Sequence, residues 1–140
     1  MKFCRINLSN TQYNTLDSVT MLSQFDRDTM FQTLVFIYES YCRYKKFESV
    51  MPLFRSMVFE YWDKDAPVAF SLVKRYDYTN AESLQFAWDY NNPELRLGIA
   101  SIEHECAFYK SQGFEYLYLG QVNDYKTQFQ GYEQLGNPYV

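Results

Sequence analysis

Residues Ser83 to Gly120 constrain the chain most, because their hydrophobic pattern changes period twice in succession. Leu84, Phe86, Trp88 and Tyr90 alternate with Gln85, Ala87 and Asp89, the period of a β-strand with two different faces. Asn91, Asn92 and Pro93 break that pattern. Ile99, Ile102, Cys106 and Tyr109 then recur at helical spacing. Gly113 stands where a helix would stop, and Tyr116 to Leu119 reads as a short strand ended by Gly120. Strand, crossover helix and strand make a βαβ unit. Its geometry sets the helix N-terminus at one end of the sheet, where backbone amides can receive an anion or a cofactor phosphate.

The remaining chain supplies the other layers. Cys4, Ile6 and Leu8 alternate with Phe3, Arg5 and Asn7, as an inward and an outward row of a short strand. Ser18 to Phe25 reads as a short helical turn. Asp28 is suited to cap a helix from Thr29 to about Lys46. Met30, Leu34, Ile37, Tyr41 and Tyr44 fall on one face of it, widened by Phe31, Val35, Tyr38 and Cys42. Glu48 to Arg55 is expected as a second, shorter helix with Pro52 in its first turn. A three-stranded meander follows: Ser56 to Trp62, Val68 to Tyr76 and Ser83 to Tyr90. Turns fall at Asp63 to Asp65 and Asp77 to Asn80. The expected architecture is a single α/β sandwich over residues 1–140, with a mixed, mostly antiparallel sheet. Gln121 to Tyr132 carries no clear pattern, and residues 133–140 read as a loose tail.

Composition narrows the class. With 47% hydrophobic and 20% aromatic residues, the chain is globular rather than disordered. A formal charge of −4 does not suit a protein that wraps nucleic acid, although a local basic patch suffices for one RNA end. Arg43, Lys45 and Lys46 form one such cluster, and Lys74 with Arg75 another. Three cysteines, Cys4, Cys42 and Cys106, are an odd number without metal-ligand spacing. They suit a reducing cytoplasm, as does an N-terminus without a signal-peptide core. No apolar run approaches membrane-spanning length. No phosphate loop, dinucleotide fingerprint or nucleophile elbow is present, so a permanently bound cofactor is not expected, nor is a metal.

The order of elements resembles the GNAT (Gcn5-related N-acetyltransferase-like) superfamily. Gly98-Ile99-Ala100 matches the second half of its pyrophosphate-binding signature, and Leu95 stands where that signature has Gln or Arg. A closer resemblance is to the C-terminal domain of arginyl-tRNA–protein and leucyl-tRNA–protein transferases. Phe86, Trp88 and Asp89 correspond to that family's aromatic strand ending in Asp. Leu95 to Ser101, Gln112-Gly113 and Tyr116 to Gly120 correspond to its later motifs. Tyr38 to Tyr44 is similar to its tyrosine-bearing helix, and Phe129 to Tyr132 to its Tyr-Lys-Gly-x-Tyr. The likeness covers about residues 29–132. It implies transfer of an aminoacyl or acyl group from aminoacyl-tRNA or acyl-CoA to an amine on a peptide, protein or small molecule.

Such a transfer starts from an activated ester. It needs positioning, removal of a proton and stabilisation of an oxyanion. Asp89, at the sheet end beside the helix start, is suited to bind or deprotonate the incoming ammonium, or simply to shape the turn. Glu60 alternates with Val58 and Trp62. Were that face covered, its pKa would rise and it would serve as a base; were it open, Glu60 would be a solvated charge. The amides of Leu97, Gly98, Ile99, Ala100 and Ser101 would hold a phosphate or the oxyanion, Arg43 an anionic donor, and Tyr118 the leaving-group proton. Two function classes follow. One is an acyltransferase; the other is a non-catalytic binding or inhibitory protein built on the same fold, with aromatic anchors at a sheet edge. An exposed edge also leaves room for a homodimer.

Overall fold

The inward row of Cys4, Ile6 and Leu8 is buried, and residues Phe3–Asn7 form strand β1. The computed structural model describes residues 2–22, 27–48, 57–89 and 95–136. After a 3-10 turn at Leu8–Asn10 come β2 (Val19–Leu22), helix α1 (Arg27–Lys45), β3 (Met57–Asp63), β4 (Ala66–Arg75) and β5 (Asn80–Trp88). Helix α2 (Leu97–Ser111), β6 (Tyr116–Gln121), a 3-10 turn at Asp124–Gln128 and β7 (Tyr132–Leu135) complete the chain. The strands form one mixed sheet in the order β2-β3-β4-β5-β6-β1-β7. Strands β5 and β6 run parallel, with Asn80, Ala81 and Glu82 opposite Tyr116, Leu117 and Tyr118. The expected α/β architecture with its central βαβ unit is therefore present.

Contacts divide the chain into two compact units. The first comprises Met1–Thr15, Lys74–Leu84 and Ile102–Val140, the second Leu16–Val73 and Gln85–Ser101. In the second unit, Leu34, Ile37, Tyr38 and Cys42 of α1 pack with Val58, Phe70, Leu72 and Ala87. Each fully buried Leu, Ile or Phe side chain contributes about 1.5–3 kcal/mol, which secures α1 to β3, β4 and β5. The helix ends in a Schellman turn, with Phe47 N–H donating to Cys42 O at 2.9 Å and Lys46 at φ 59°. In the first unit β1 lies between β6 and β7, antiparallel to both. Helix α2 also closes with a Schellman turn: Gly113 takes φ 84°, and Phe114 N–H reaches Tyr109 O at 3.0 Å.

Three expectations are corrected. The stretch from Ser18 is not a helical turn, because Val19–Leu22 pairs antiparallel with β3. Its register sets Val19 opposite Tyr61, Thr20 opposite Glu60, Met21 opposite Phe59 and Leu22 opposite Val58. Residues 133–135 are not a loose tail, since Tyr132 to Leu135 pair with Ile6 to Phe3 as an edge strand. Tyr44, expected on the core face of α1, is 54% exposed. The core takes Leu34, Ile37, Tyr38 and Cys42, and the helix rotates position 44 away from them. The expected second helix at Glu48 to Arg55 lies largely outside the described residues, as do the Asn91 to Pro93 break and the side chain of Asp28.

Candidate functional site

In the second unit, Asp89 directly follows the last residue of β5. Its amide donates to Val68 O at 2.7 Å, which fixes the strand end against β4. The side chain is half-buried. Helix α2 starts after Arg96, an exposed residue held at φ 49°. The Arg96 carbonyl accepts from both Ile99 N–H (3.1 Å) and Ala100 N–H (2.9 Å). Those two amides are thus engaged within the helix start. By helix geometry the first amides, Leu97 and Gly98, have no intrahelical acceptor, so of the amides expected to hold an anion over Leu97 to Ser101 these two are not engaged within the helix. Ser101 is buried; its Oγ donates to Gly98 O at 3.1 Å, and its carbonyl accepts from the Tyr61 hydroxyl at 3.2 Å. That last bond ties β3 to the first turn of α2.

Glu60 precedes Tyr61 and points to the other face of β3. It is fully buried, and neither carboxylate oxygen has a hydrogen-bond partner among the described residues. Burial pushes its pKa up; the Trp62 indole N–H pulls the other way without reaching hydrogen-bond geometry. Of the two readings open from sequence, the covered face is the one observed. Arg43 is exposed near the end of α1, with Nη2 donating to Ser40 Oγ at 3.3 Å.

Tyr118 belongs to the first unit. Its hydroxyl accepts from Arg5 Nη1 at 3.1 Å, while Arg5 Nε pairs with Glu133 at 2.8 Å. The Arg5 guanidinium stacks 3.7 Å from the Tyr116 ring centroid. Tyr118 also lines a cavity of about 360 Å³ with Tyr76, Asp77, Asn80 and Glu82. The Tyr76 hydroxyl donates to the Glu82 carboxylate, and its own pKa is pushed up to about 12, chiefly by that bond. The Asn80 side-chain amide and the Thr79 N–H hold the Asp77 carboxyl below its ordinary value. Sequence reasoning missed Arg5 and Glu82. The alternation of β1, which sets Arg5 on the outward row, was the available signal for the first.

Other reactive side chains are buried. His104 and Glu105 lie inside α2, where burial lowers the His104 pKa. Cys4, Cys42 and Cys106 are free and buried. Among the described residues no group of three His, Cys, Asp or Glu side chains could hold a metal ion, and no helix is long and apolar enough to cross a membrane.

A mixed sheet with a βαβ crossover and amides at the crossover helix start define the class as a GNAT-like acyltransferase fold. The structure is similar to the C-terminal domain assigned to a lysylphosphatidylglycerol synthetase from Agrobacterium fabrum (TM-score 0.70, 10% identity, 86% of this chain and 46% of that one). It is also similar to a GCN5-related N-acetyltransferase from Kribbella flavida (0.53, 14%, 98% and 57%). A third similar structure is Saccharomyces cerevisiae N-myristoyltransferase with bound myristoyl-CoA (0.57, 10%, 96% and 47%). The chain spans about half the length of these proteins. No curated protein sequence matches it. The family described as arginine-tRNA-protein transferase, C terminus, matches residues 12–136, and the chain belongs to that family.

Proposed function

We propose that the chain transfers an aminoacyl or acyl group from an activated donor, aminoacyl-tRNA or acyl-CoA, to an amine acceptor. The observation that carries this reading is Gly98. It stands at the second position of α2 without a positive φ, and among the described residues a Cβ built there would meet only Phe86 Cε1, at an ordinary 3.8 Å. Neither backbone strain nor crowding among the described residues explains a glycine in a helix, where alanine is favoured by up to about 1 kcal/mol. Close approach of a donor phosphate or an oxyanion to the Leu97 and Gly98 amides does explain it. Asp89 then binds the acceptor ammonium and takes its proton, with Glu60 as the buried alternative base. Arg43 and Tyr118 are the candidate contacts to the donor's charge and to its leaving group. The three buried thiols suit a cytoplasmic setting.

Two variants test the reading. Gly98→Ala should keep or raise thermal stability while lowering kcat/KM for the donor, chiefly through kcat. Asp89→Asn should abolish transfer without unfolding the chain. Full activity in both would refute these roles.

A further inference from the structure

The cavity in the first unit has so far been given a purpose only through Tyr118. Its volume of about 360 Å³ is at the lower end of the range for small-molecule sites. It lies across neighbouring strands: Tyr76 follows β4, Asn80 and Glu82 belong to β5, and Tyr118 and Gly120 belong to β6. Gly120 leaves its part of the lining without a side chain, and a Cβ added there would meet nothing within 4 Å among the described residues. The rings of Tyr76, Tyr118 and Phe3 share the lining with the Asp77 and Glu82 carboxylates, and among the described residues no Lys or Arg lines it. Three flanking cations are engaged outside it. Arg5, bonded to the Tyr118 hydroxyl, pairs with Glu133. Lys74 Nζ stands 5.1 Å from the Tyr76 ring centroid. Arg75 donates to Asp77 O and lies against Tyr78 and Phe114.

A tyrosine bonded to a glutamate across a hairpin has an ordinary explanation in cross-strand pairing. That explanation does not cover what the bond leaves over. The Tyr76 hydroxyl donates to Glu82 Oε2, and Oε1 has no partner among the described residues. Asn80 commits its side-chain N–H groups to Asp77, which leaves Asn80 Oδ1 as a second acceptor. Asp77 Oδ1 is filled by donors from Thr79 and Asn80, so Asp77 adds negative charge more than a free lone pair. We propose that this cavity binds a primary alkylammonium. The charged head donates to Glu82 Oε1 and Asn80 Oδ1, and the alkyl chain lies along the rings of Tyr76, Tyr118 and Phe3. A guanidinium is held best by both oxygens of one carboxylate, and here the Tyr76 hydroxyl occupies one of them. A quaternary ammonium suits the rings but has no N–H for the free oxygen. An anion would meet two carboxylates. The proposal concerns binding alone and does not depend on whether the chain transfers an acyl group.

The test is an NMR titration of the isotope-labelled full chain with n-butylamine, n-butylguanidine and tetramethylammonium, following the Glu82 and Gly120 amides. n-Butylamine should give saturable shifts and bind most tightly of the three. Glu82→Gln should weaken it about 5-fold or more, with an unchanged thermal melt, since the glutamine oxygen still accepts from Tyr76. Tyr76→Phe frees Oε2 and should strengthen n-butylguanidine about 5-fold or more. Glu115→Gln, an exposed carboxylate of the same unit outside the cavity, should change nothing. Acetyl-lysine amide binding as tightly as n-butylamine would make a polypeptide lysine the source of the group; n-butylamine binding alone would make it a free amine. No saturable shift at millimolar amine, equal affinity for tetramethylammonium, wild-type affinity in Glu82→Gln, or no gain for n-butylguanidine in Tyr76→Phe overturns the proposal, whatever a transfer assay reads.

Discussion

Replacing Glu60 with Met should stabilise the protein, and increasingly so as pH rises. Glu60 sits opposite Thr20 of β2 and Phe70 of β4, fully buried, with two oxygens that find no hydrogen bond among the described residues. A neutral acid in that position forfeits about 1–3 kcal/mol of unmade hydrogen bonding. Methionine is of similar length and brings no such loss. Ionisation adds a second cost, because burial raises the folded-state pKa above its ordinary value of 4.5.

The sign follows from proton linkage. Between the unfolded and the folded pKa the native state binds more protons, so wild-type stability falls as pH rises. The fall is about 1.4 kcal/mol for each pH unit of that window, and it ends once pH passes the folded value. The methionine variant lacks this loss. Its advantage should start at about 1–3 kcal/mol at acid pH, grow through the window above 4.5 and then level off. Urea unfolding of both proteins across a pH series measures it. A variant less stable at every pH, or an advantage independent of pH, refutes the reasoning. Loss of transfer in the same variant would mark Glu60 as the base, since stability is then being sacrificed for activity.

Gly131→Ala should be among the most damaging small substitutions. Gly131 has φ 73°, and an added Cβ would fall on the Asn7 carbonyl oxygen, with Ile6 Cγ2 at 3.3 Å. Both segments are backbone joined by the Asn7 N–H to Gly131 O bond at 2.8 Å, so neither yields easily. Left-handed strain and overpacking together predict a loss of about 2–5 kcal/mol by urea unfolding; a loss below about 1 kcal/mol would contradict this. Tyr61→Phe removes the hydroxyl bonded to Ser101 O. It should cost about 0.5–1.5 kcal/mol and speed amide exchange in the first turn of α2, and unchanged exchange would show that the bond does not hold that turn.

What could be read from sequence follows from the range of the interactions involved. The strand of β5, the helical run of α2 and the glycine at 113 are local signals, and all appear in the structure, although the two rows of β5 are not sorted by burial: Leu84 is exposed and Ala87 is buried. β2 and β7 were missed because each is four residues long and is defined by its partner strand rather than by its own alternation. Val19–Leu22 becomes a strand because β3 offers it a ladder. The burial of Glu60 was undecidable for the same reason. A strand of alternating residues does not say whether one or both faces are covered, and here Val58, Phe59, Glu60 and Tyr61 are all buried. Arg5 and Tyr118 meet only because β1 is inserted between β6 and β7, a pairing across the whole length of the chain.

The site also limits how a donor can be held. Leu95, where the related signature has Gln or Arg, is half-buried and carries no polar group. The Arg96 carbonyl already engages the amides of Ile99 and Ala100. On the proposed reading, the grip at the start of α2 therefore reduces to the Leu97 and Gly98 amides, a small contribution to the affinity of a large donor. Binding energy for such a donor must come from parts remote from the reacting centre, which is where transferases commonly draw it to position the reacting atoms. On this basis Gly98→Ala should depress kcat for every donor more than it weakens donor binding.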